Sequence, residues 1–284
     1  MKISIIIPAY NEEESIKRVI TELKGITNQE CEIIVVNDGS TDQTENILKD
    51  IQDITVINHS YNKGYGAALK SGIRKAQGEY ILIIDGDGTY PVNEIPKLLK
   101  YTNDYDMVSG VRKGKNFDAR WFYSQRLAKF ILKKIAGYVT KTKIPDINCG
   151  LRIFKKKVIE RYWDLYPQGF SFTTTSLVAF LANDYQVKFV SIDYHQRKGK
   201  STLKPFKSFI GFISLILKLS LFFKPIKVFL PLGLFIFLVA VGITIYGFIW
   251  KNIFYDTSVI LLSATALQTF FFGLLAEIIV HNRK

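Results

Sequence analysis

Cysteine is scarce in this sequence: there are two in 284 residues, Cys31 and Cys149, and neither belongs to a C-x-x-C pair. That spacing excludes a cysteine-built zinc or redox centre, and Cys31, which opens an apolar run, reads as a core residue. A disulfide is not expected for a cytosolic domain. Zinc-ligand spacings and an RNP-like aromatic motif are also missing. The formal charge of +13, from 38 Lys+Arg against 25 Asp+Glu, is therefore not assigned to a nucleic-acid partner. An anionic membrane surface or anionic substrates remain, with general solubility as the plainer alternative. No secretory leader is legible. Met1-Lys2 runs straight into Ile3-Ser4-Ile5-Ile6-Ile7-Pro8, too short for a signal core and the right length for a first strand.

Charge is missing from two long stretches. Residues 228–250 carry none, and residues 257–280 carry only Glu277. Each exceeds the roughly 20 residues that span hydrocarbon, so the pair reads as a transmembrane hairpin closed by residues 251–256. Lys218, Lys224 and Lys227 precede the first span, and Arg283 and Lys284 follow the second. Positive flanks stay inside, which places the chain as a multi-pass protein of the cell membrane with both ends of the chain in the cytoplasm. Between the soluble part and the hairpin, Phe206, Phe209, Ile210, Ile213, Ile216 and Leu217 recur at helical spacing beside lysines. These suit amphipathic helices on the bilayer surface, or a helix packed on the soluble domain. The domains expected are residues 1–205, a juxtamembrane segment 206–225, and the hairpin 226–284.

Residues 1–205 alternate apolar strands with helices. Strands are expected at 3–7, 32–36, 54–58 and 80–84, each followed by a helix, the third of them running from about Tyr65 to Ala76. Near-continuous apolar strands imply a mostly parallel α/β sheet covered on both faces. Ligands then bind at the carboxyl ends of the strands. The polar clusters fall there: Pro8-Ala9-Tyr10-Asn11-Glu12, Asn37-Asp38-Gly39-Ser40 and Asp85-Gly86-Asp87.

Asp85 and Asp87, two apart on an extended segment leaving a strand, can converge on one Mg²⁺ or Mn²⁺ that bridges a substrate diphosphate. Alone, such a pair is more often a solvated turn. Tyr10 can pack on a base or ribose, and Glu12 can accept ribose or base hydrogens or answer a helix dipole. Asp38 can accept an imino proton of the base or cap a turn.

Taken together, Pro8–Glu12, Val36-Asn37-Asp38-Gly39-Ser40-Thr41-Asp42, Asn62-Lys63-Gly64 and Asp85-Gly86-Asp87-Gly88-Thr89-Tyr90-Pro91 resemble the ordered motifs of family 2 glycosyltransferases. With the hairpin, the chain looks most like the dolichyl- or undecaprenyl-phosphate hexose synthases. The resemblance covers residues 1–205. It implies a GT-A fold, a divalent metal, a nucleotide-sugar donor bound by Pro8, Tyr10, Glu12, Asp38 and Asp85, and a polyprenyl-phosphate acceptor. Inversion at the sugar is part of that implication.

The same resemblance places Arg112, in Ser109-Gly110-Val111-Arg112, and Arg126 at the lipid phosphate. It places Arg197, Lys200 and Ser201, in Arg197-Lys198-Gly199-Lys200-Ser201, at the diphosphate. Asp146-Ile147-Asn148-Cys149-Gly150-Leu151-Arg152 resembles the family's Asp-x-x-x-Gly-Phe-Arg segment. Two departures matter. Thr89, expected at the metal with Asp85 and Asp87, stands where relatives often carry a metal-binding Gln. Thr173-Thr174-Thr175-Ser176 follows Gly169-Phe170-Ser171-Phe172 where many relatives carry a catalytic carboxylate. A hydroxyl acceptor needs such a base, whereas a lipid phosphate is already anionic. The missing carboxylate therefore favours a phosphate acceptor. A polysaccharide synthase is the competing expectation, but its Q-x-x-R-W motif is not seen; a non-catalytic scaffold is the third. The sugar, the nucleotide and any homo-oligomer stay open, with UDP slightly preferred over GDP-mannose.

Overall fold

A computed structural model describes residues 2–26, 31–113, 123–169, 171–195, 217–251 and 256–282. The chain divides into two compact units, Met1–Phe212 and Ile213–Lys284. In the first, seven strands form one sheet: β1 (Ile3–Ala9), β2 (Cys31–Asn37), β3 (Thr55–Asn58), β4 (Tyr80–Ile83), β5 (Met107–Lys113), β6 (Arg152–Lys155) and β7 (Val187–Asp193). Their order is β3-β2-β1-β4-β6-β5-β7. Every pairing is parallel except those of β6, which runs against both β4 and β5. The helices are α1 (Ile16–Ile26), α2 (Thr44–Lys49), α3 (Tyr65–Lys75), α4 (Ile95–Leu99), α5 (Tyr123–Thr140), α6 (Lys156–Arg161) and α7 (Phe172–Ala182). This is the expected mostly parallel α/β sheet. β1 and β2 are each two residues longer than the expected strands, β3 and β4 are each one residue shorter, and the helices after β1 and β2 start a few residues later.

All seven residues of β1 are buried, as a central strand covered on both faces requires. Its proline is tolerated for a local reason. The Ile84 amide donates to Ile6 O, so the period of two turns the Pro8 nitrogen toward the same, β4, side. The β1–β4 pairing already ends at Ile6 and Ile83, so Pro8 removes no ladder bond. In α1 the buried residues are Ile16, Val19, Ile20 and Leu23, the spacing of a single helical face.

The reversed strand decides what reaches the site. The carboxyl ends of the other six strands share one edge of the sheet. Because β6 runs backwards, its amino end lies at that edge too, and it carries the segment 146–151 there.

The second unit holds a helical segment α8 (217–223), then α9 (Ile226–Tyr246) and α10 (Asp256–His281), which pack against each other. Stretches Ile226–Ile249 and Thr257–His281, with mean hydropathy 2.7 and 2.0, are long and apolar enough to cross a bilayer. Small residues let the two backbones approach: a Cβ on Gly233 would lie 3.2 Å from Ala266 O, and one on Gly273 2.7 Å from Phe229 Cβ. Glu277 has a local task. Its Oε2 accepts the Ile226 amide at 3.1 Å, at the first residue of α9, while the next three amides bond the carbonyls of Lys224 and Pro225.

Candidate active site

The loops after β1 and β2 are laced together by side chains. The Asn11 amide donates to Ser40 Oγ (3.0 Å), the Glu12 amide to Thr44 Oγ1 (2.9 Å), and the Thr41 amide to Asn11 Oδ1 (2.8 Å). Asn11 adopts φ 56°, a region asparagine tolerates better than most residues. The hydroxyl of Ser15 joins this cluster to the loop after β4, donating to Gly86 O at 2.8 Å and lying 3.2 Å from Glu12 Oε2. Three strand ends are thus held as one rim carrying Pro8, Tyr10, Glu12, Asp38, Asp85 and Asp87. Pro8 is buried at its base, while Tyr10 and Glu12 are half-exposed.

Asp85 sits between two close neighbours. The Tyr65 hydroxyl donates to its Oδ1 at 2.8 Å. On the other side Gly150 packs so tightly that a Cβ there would lie 2.5 Å from Asp85 Oδ2. Gly150 is itself pinned, its amide donating to Tyr90 Oη at 2.7 Å. Gly150→Ala is therefore expected to push the Asp85 carboxylate aside. Mn²⁺ affinity measured with UDP present should fall at least about tenfold, the scale of lost support around a metal ligand. Equal affinity in variant and wild type would show that Asp85 tolerates the displacement.

Asp87 is held by Thr89, whose amide (3.0 Å) and hydroxyl (2.7 Å) both donate to Oδ1. Thr89 is buried, and its side chain serves to orient Asp87. Its carbonyl accepts the His195 amide at 2.8 Å, so the end of β7 closes over this loop. Tyr194 there stacks edge-on against Tyr90 at 5.1 Å. Burial pushes the Tyr194 phenol above its usual range, the Thr89 hydroxyl and Arg112 oppose that, and Asp87 and Asp85 add to it.

Among the described residues no cluster of three or more His, Cys, Asp or Glu side chains could hold a metal ion. A pair of hard carboxylate oxygens fits Mg²⁺ or Mn²⁺ in one particular way, with the remaining positions filled by diphosphate oxygens and water.

Asp38 faces inward. It is buried, and its carboxylate accepts the amides of Lys63 (3.0 Å) and Gly64 (2.8 Å), with His59 Nδ1 2.6 Å away. His59 Nε2 lies 2.8 Å from Ser71 Oγ on α3. In this structure Asp38 latches the loop before α3 onto the end of β2. Gly39 at φ 70° lets Tyr61 pass against it, a contact that any side chain would block.

Arg112 also has an internal partner. Its Nε and Nη2 donate to Asp146 Oδ2 (2.7 Å) and Oδ1 (2.9 Å), and the guanidinium lies 5.3 Å from the Tyr194 ring centroid. Burial alone would raise the Asp146 carboxyl, but the Arg112 fork overrides it and holds the group below its ordinary value. Beneath this pair, fully buried Arg152 donates to the carbonyls of Ile147 (2.8 Å) and Thr173, bracing segment 146–151 against α7. Burial lowers its pKa.

Thr173, Thr174, Thr175 and Ser176 lie in α7 and are buried. The hydroxyls of the last three are spent internally, Thr174 on Asn148 Oδ1 at 2.5 Å, Thr175 on Ser171 O and Ser176 on Thr173 O. Arg126 falls within α5, but its side chain is not among those described. Arg197, Lys200 and Ser201 lie outside the described residues.

Sequence motifs passed over several residues that build this site. Tyr65 was legible only as a helix start. Tyr90 stood within a quoted motif without a role, and Gly150 differs from the eighteen other glycines only by what it touches. His59 carried no local signal, since its partner Asp38 is 21 residues away.

A mostly parallel sheet with one reversed strand, and a paired-Asp loop at its carboxyl edge, is the architecture of the GT-A nucleotide-sugar enzymes. The chain belongs to glycosyl transferase family 2, whose profile matches residues 4–163, and residues 224–281 match the GtrB C-terminal hairpin. It is 30% identical over 202 residues to an undecaprenyl-phosphate 4-deoxy-4-formamido-L-arabinose transferase of Proteus mirabilis. That match takes in 68% of this chain and 59% of the relative, so this chain spans little more than half the length of such transferases. It is 26% identical to a dolichyl-phosphate hexose transferase of Haloferax volcanii, over 72% of this chain and 87% of that one. Among solved structures it resembles glucosyl-3-phosphoglycerate synthase from Mycobacterium tuberculosis in complex with Mn²⁺ and UDP. The TM-score is 0.62 at 18% identity, covering 77% of this chain and 79% of that one. The same enzyme with Mg²⁺ and UDP gives a TM-score of 0.59, also at 18% identity and with the same coverage of both chains.

Proposed function

We propose that this chain transfers a single hexose, with inversion, from a nucleotide diphosphate sugar to a polyprenyl phosphate at the cytosolic face of a membrane. The observation that carries the acceptor class is the start of α7. Where a hydroxyl acceptor would need a carboxylate base, residues 173–176 are buried Thr and Ser side chains, and the hydroxyls of Thr174, Thr175 and Ser176 are engaged with their own surroundings. A phosphate monoester at pH 7 needs no deprotonation to attack. The apolar hairpin, and relatives named for undecaprenyl and dolichyl phosphate, support the lipid.

In this reading residues 1–205 form the catalytic domain, 206–225 lie at the interface, and 226–284 anchor the chain, with the lysine-rich flanks on the cytosolic side. Asp85 and Asp87, with Thr89 orienting the latter, would hold Mg²⁺ or Mn²⁺. When bound, that ion neutralises charge on the leaving diphosphate. Arg197, Lys200 and Ser201 are assigned to the same diphosphate. Pro8, Tyr10 and Glu12 form the rim against nucleoside, and Asp38 sets the loop beneath it. Arg126 and Arg112 are assigned to the acceptor phosphate, Asp146 presetting the plane of the Arg112 fork. UDP is preferred over GDP as the nucleotide, in line with the UDP-bound fold neighbour.

Purified full-length chain is to be incubated with radiolabelled UDP-glucose, UDP-N-acetylglucosamine and GDP-mannose, a short polyprenyl phosphate and Mn²⁺ or Mg²⁺. One donor is expected to label the organic phase, and the label should vanish when the lipid carries no phosphate. Label on a growing glycan instead would favour a polysaccharide synthase. Nucleotide binding without any transfer would favour a scaffold.

A further inference from the structure

Segment 59–67 touches both ends of the proposed donor site, although the motifs assign none of its side chains to the metal. At its start, His59 Nδ1 lies 2.6 Å from Asp38 Oδ1, and the amides of Lys63 and Gly64 bond the same carboxylate at 3.0 and 2.8 Å. Just beyond, the Ala67 amide donates to Gln168 O at 2.9 Å. Gly64, at φ 101°, and Gly66 pack directly on the backbone of residues 167–169, where a Cβ would collide. The segment is therefore fixed by backbone on both sides of one residue, Tyr65. That residue's hydroxyl donates to Asp85 Oδ1 at 2.8 Å.

We propose that Tyr65 is a positioning residue for the metal carboxylate Asp85, fixing which oxygen and which lone pairs face the cation while the Asp38 latch fixes Tyr65. This rests on the reading of Asp85 as a metal carboxylate. A carboxylate on a loop can swing about two torsions. A hydrogen bond to one oxygen removes that freedom before the ion arrives, and partners of this kind commonly change metal affinity by about 10–100-fold. Tyr65 begins α3 directly after Gly64, so its ring is carried by a helix end and not by a free loop. The same segment meets Asp38 on one side and 167–169 on the other. The Asp38 loop and the backbone at 167–169 are thereby set relative to Asp85 through one short stretch of chain.

The test is Mn²⁺ binding to the full chain in detergent with UDP present, read from the electron paramagnetic resonance signal of free Mn²⁺. Tyr65→Phe removes only the hydroxyl. It is expected to weaken Mn²⁺ about tenfold, with the melting temperature of the metal-free protein within a few degrees of wild type. The metal concentration giving half-maximal transfer should rise by a similar factor, which a merely structural tyrosine would not produce. Wild-type binding with an unchanged constant in Tyr65→Phe overturns the role of Tyr65 and leaves the glycosyltransferase reading standing. Failure of wild type itself to bind Mn²⁺ with any nucleotide overturns both. If Tyr65→Phe does not fold, 3-fluorotyrosine at position 65 retains the hydroxyl. Its ¹⁹F line should broaden as Mn²⁺ fills the site, and a line unmoved at saturating Mn²⁺ and UDP overturns the proposal.

Discussion

Asp87→Asn is expected to lower sugar transfer at least about 10³-fold while leaving the fold intact. The loss follows from charge. Several kcal/mol of stabilisation of the leaving diphosphate go with the bound cation, and each 1.36 kcal/mol is about tenfold in rate. The intact fold follows from shape. Asparagine keeps an oxygen where Asp87 Oδ1 now accepts the Thr89 amide and hydroxyl. Asp87→Ala differs in a diagnostic way: it also removes the oxygen that accepts both the Thr89 amide and hydroxyl, at a cost of about 1–3 kcal/mol. Initial rates and thermal melts of the two variants separate the effects. Equal activity in Asp87→Asn and wild type would remove the metal from the account.

Asp146→Ala should be among the most destabilising single changes in the first unit, at about 3–5 kcal/mol. The Arg112 and Asp146 side chains are 9% and 12% exposed, so removing the carboxylate leaves a guanidinium nearly buried with its bidentate partner gone. The Asn148 amide loses its acceptor too. Pairing Asp146→Ala with Arg112→Met should recover part of the loss, because the uncompensated charge goes with the arginine. The pair also predicts a pH dependence. The folded Asp146 carboxyl lies below its ordinary 3.8, so its contribution is fully present above about pH 5. It is lost as pH falls through 3.8 toward the folded value. Urea melts at pH 7 and near pH 3 should show the gap between wild type and Asp146→Ala narrowing in acid. A gap that stays constant would mean that lost packing, and not the ion pair, sets the cost.

What was legible in the sequence was local. Strand runs such as Ile3–Ile7 announce themselves because a strand buried on both faces needs apolar residues without interruption. Pro8, Asp38 and Asp85 mark strand ends because turn chemistry follows each run directly. What was not legible depends on the third dimension. Arg112 and Asp146 are 34 residues apart and meet because β6 runs backwards between β4 and β5. A short strand such as Arg152–Lys155 does not display its direction. The inward turn of Asp38 depends on His59, and the seat of Asp85 on Tyr65 and Gly150, none of which belongs to the same local segment. Thr89 was expected as a metal contact by its place in the motif. Its observed bonds to Asp87 are those a short hydroxyl side chain makes locally with a residue two positions back.

The central claim is that one sugar leaves a nucleotide and joins a lipid phosphate. Mass spectrometry of the organic extract, after the full chain has acted on unlabelled donor and a defined polyprenyl phosphate, tests it most directly. The account predicts a new lipid heavier by a single anhydrohexose unit, with one nucleoside diphosphate released per molecule formed and no species carrying two. A ladder of masses rising by successive sugars, or nucleoside diphosphate released with the lipid unchanged, would contradict it.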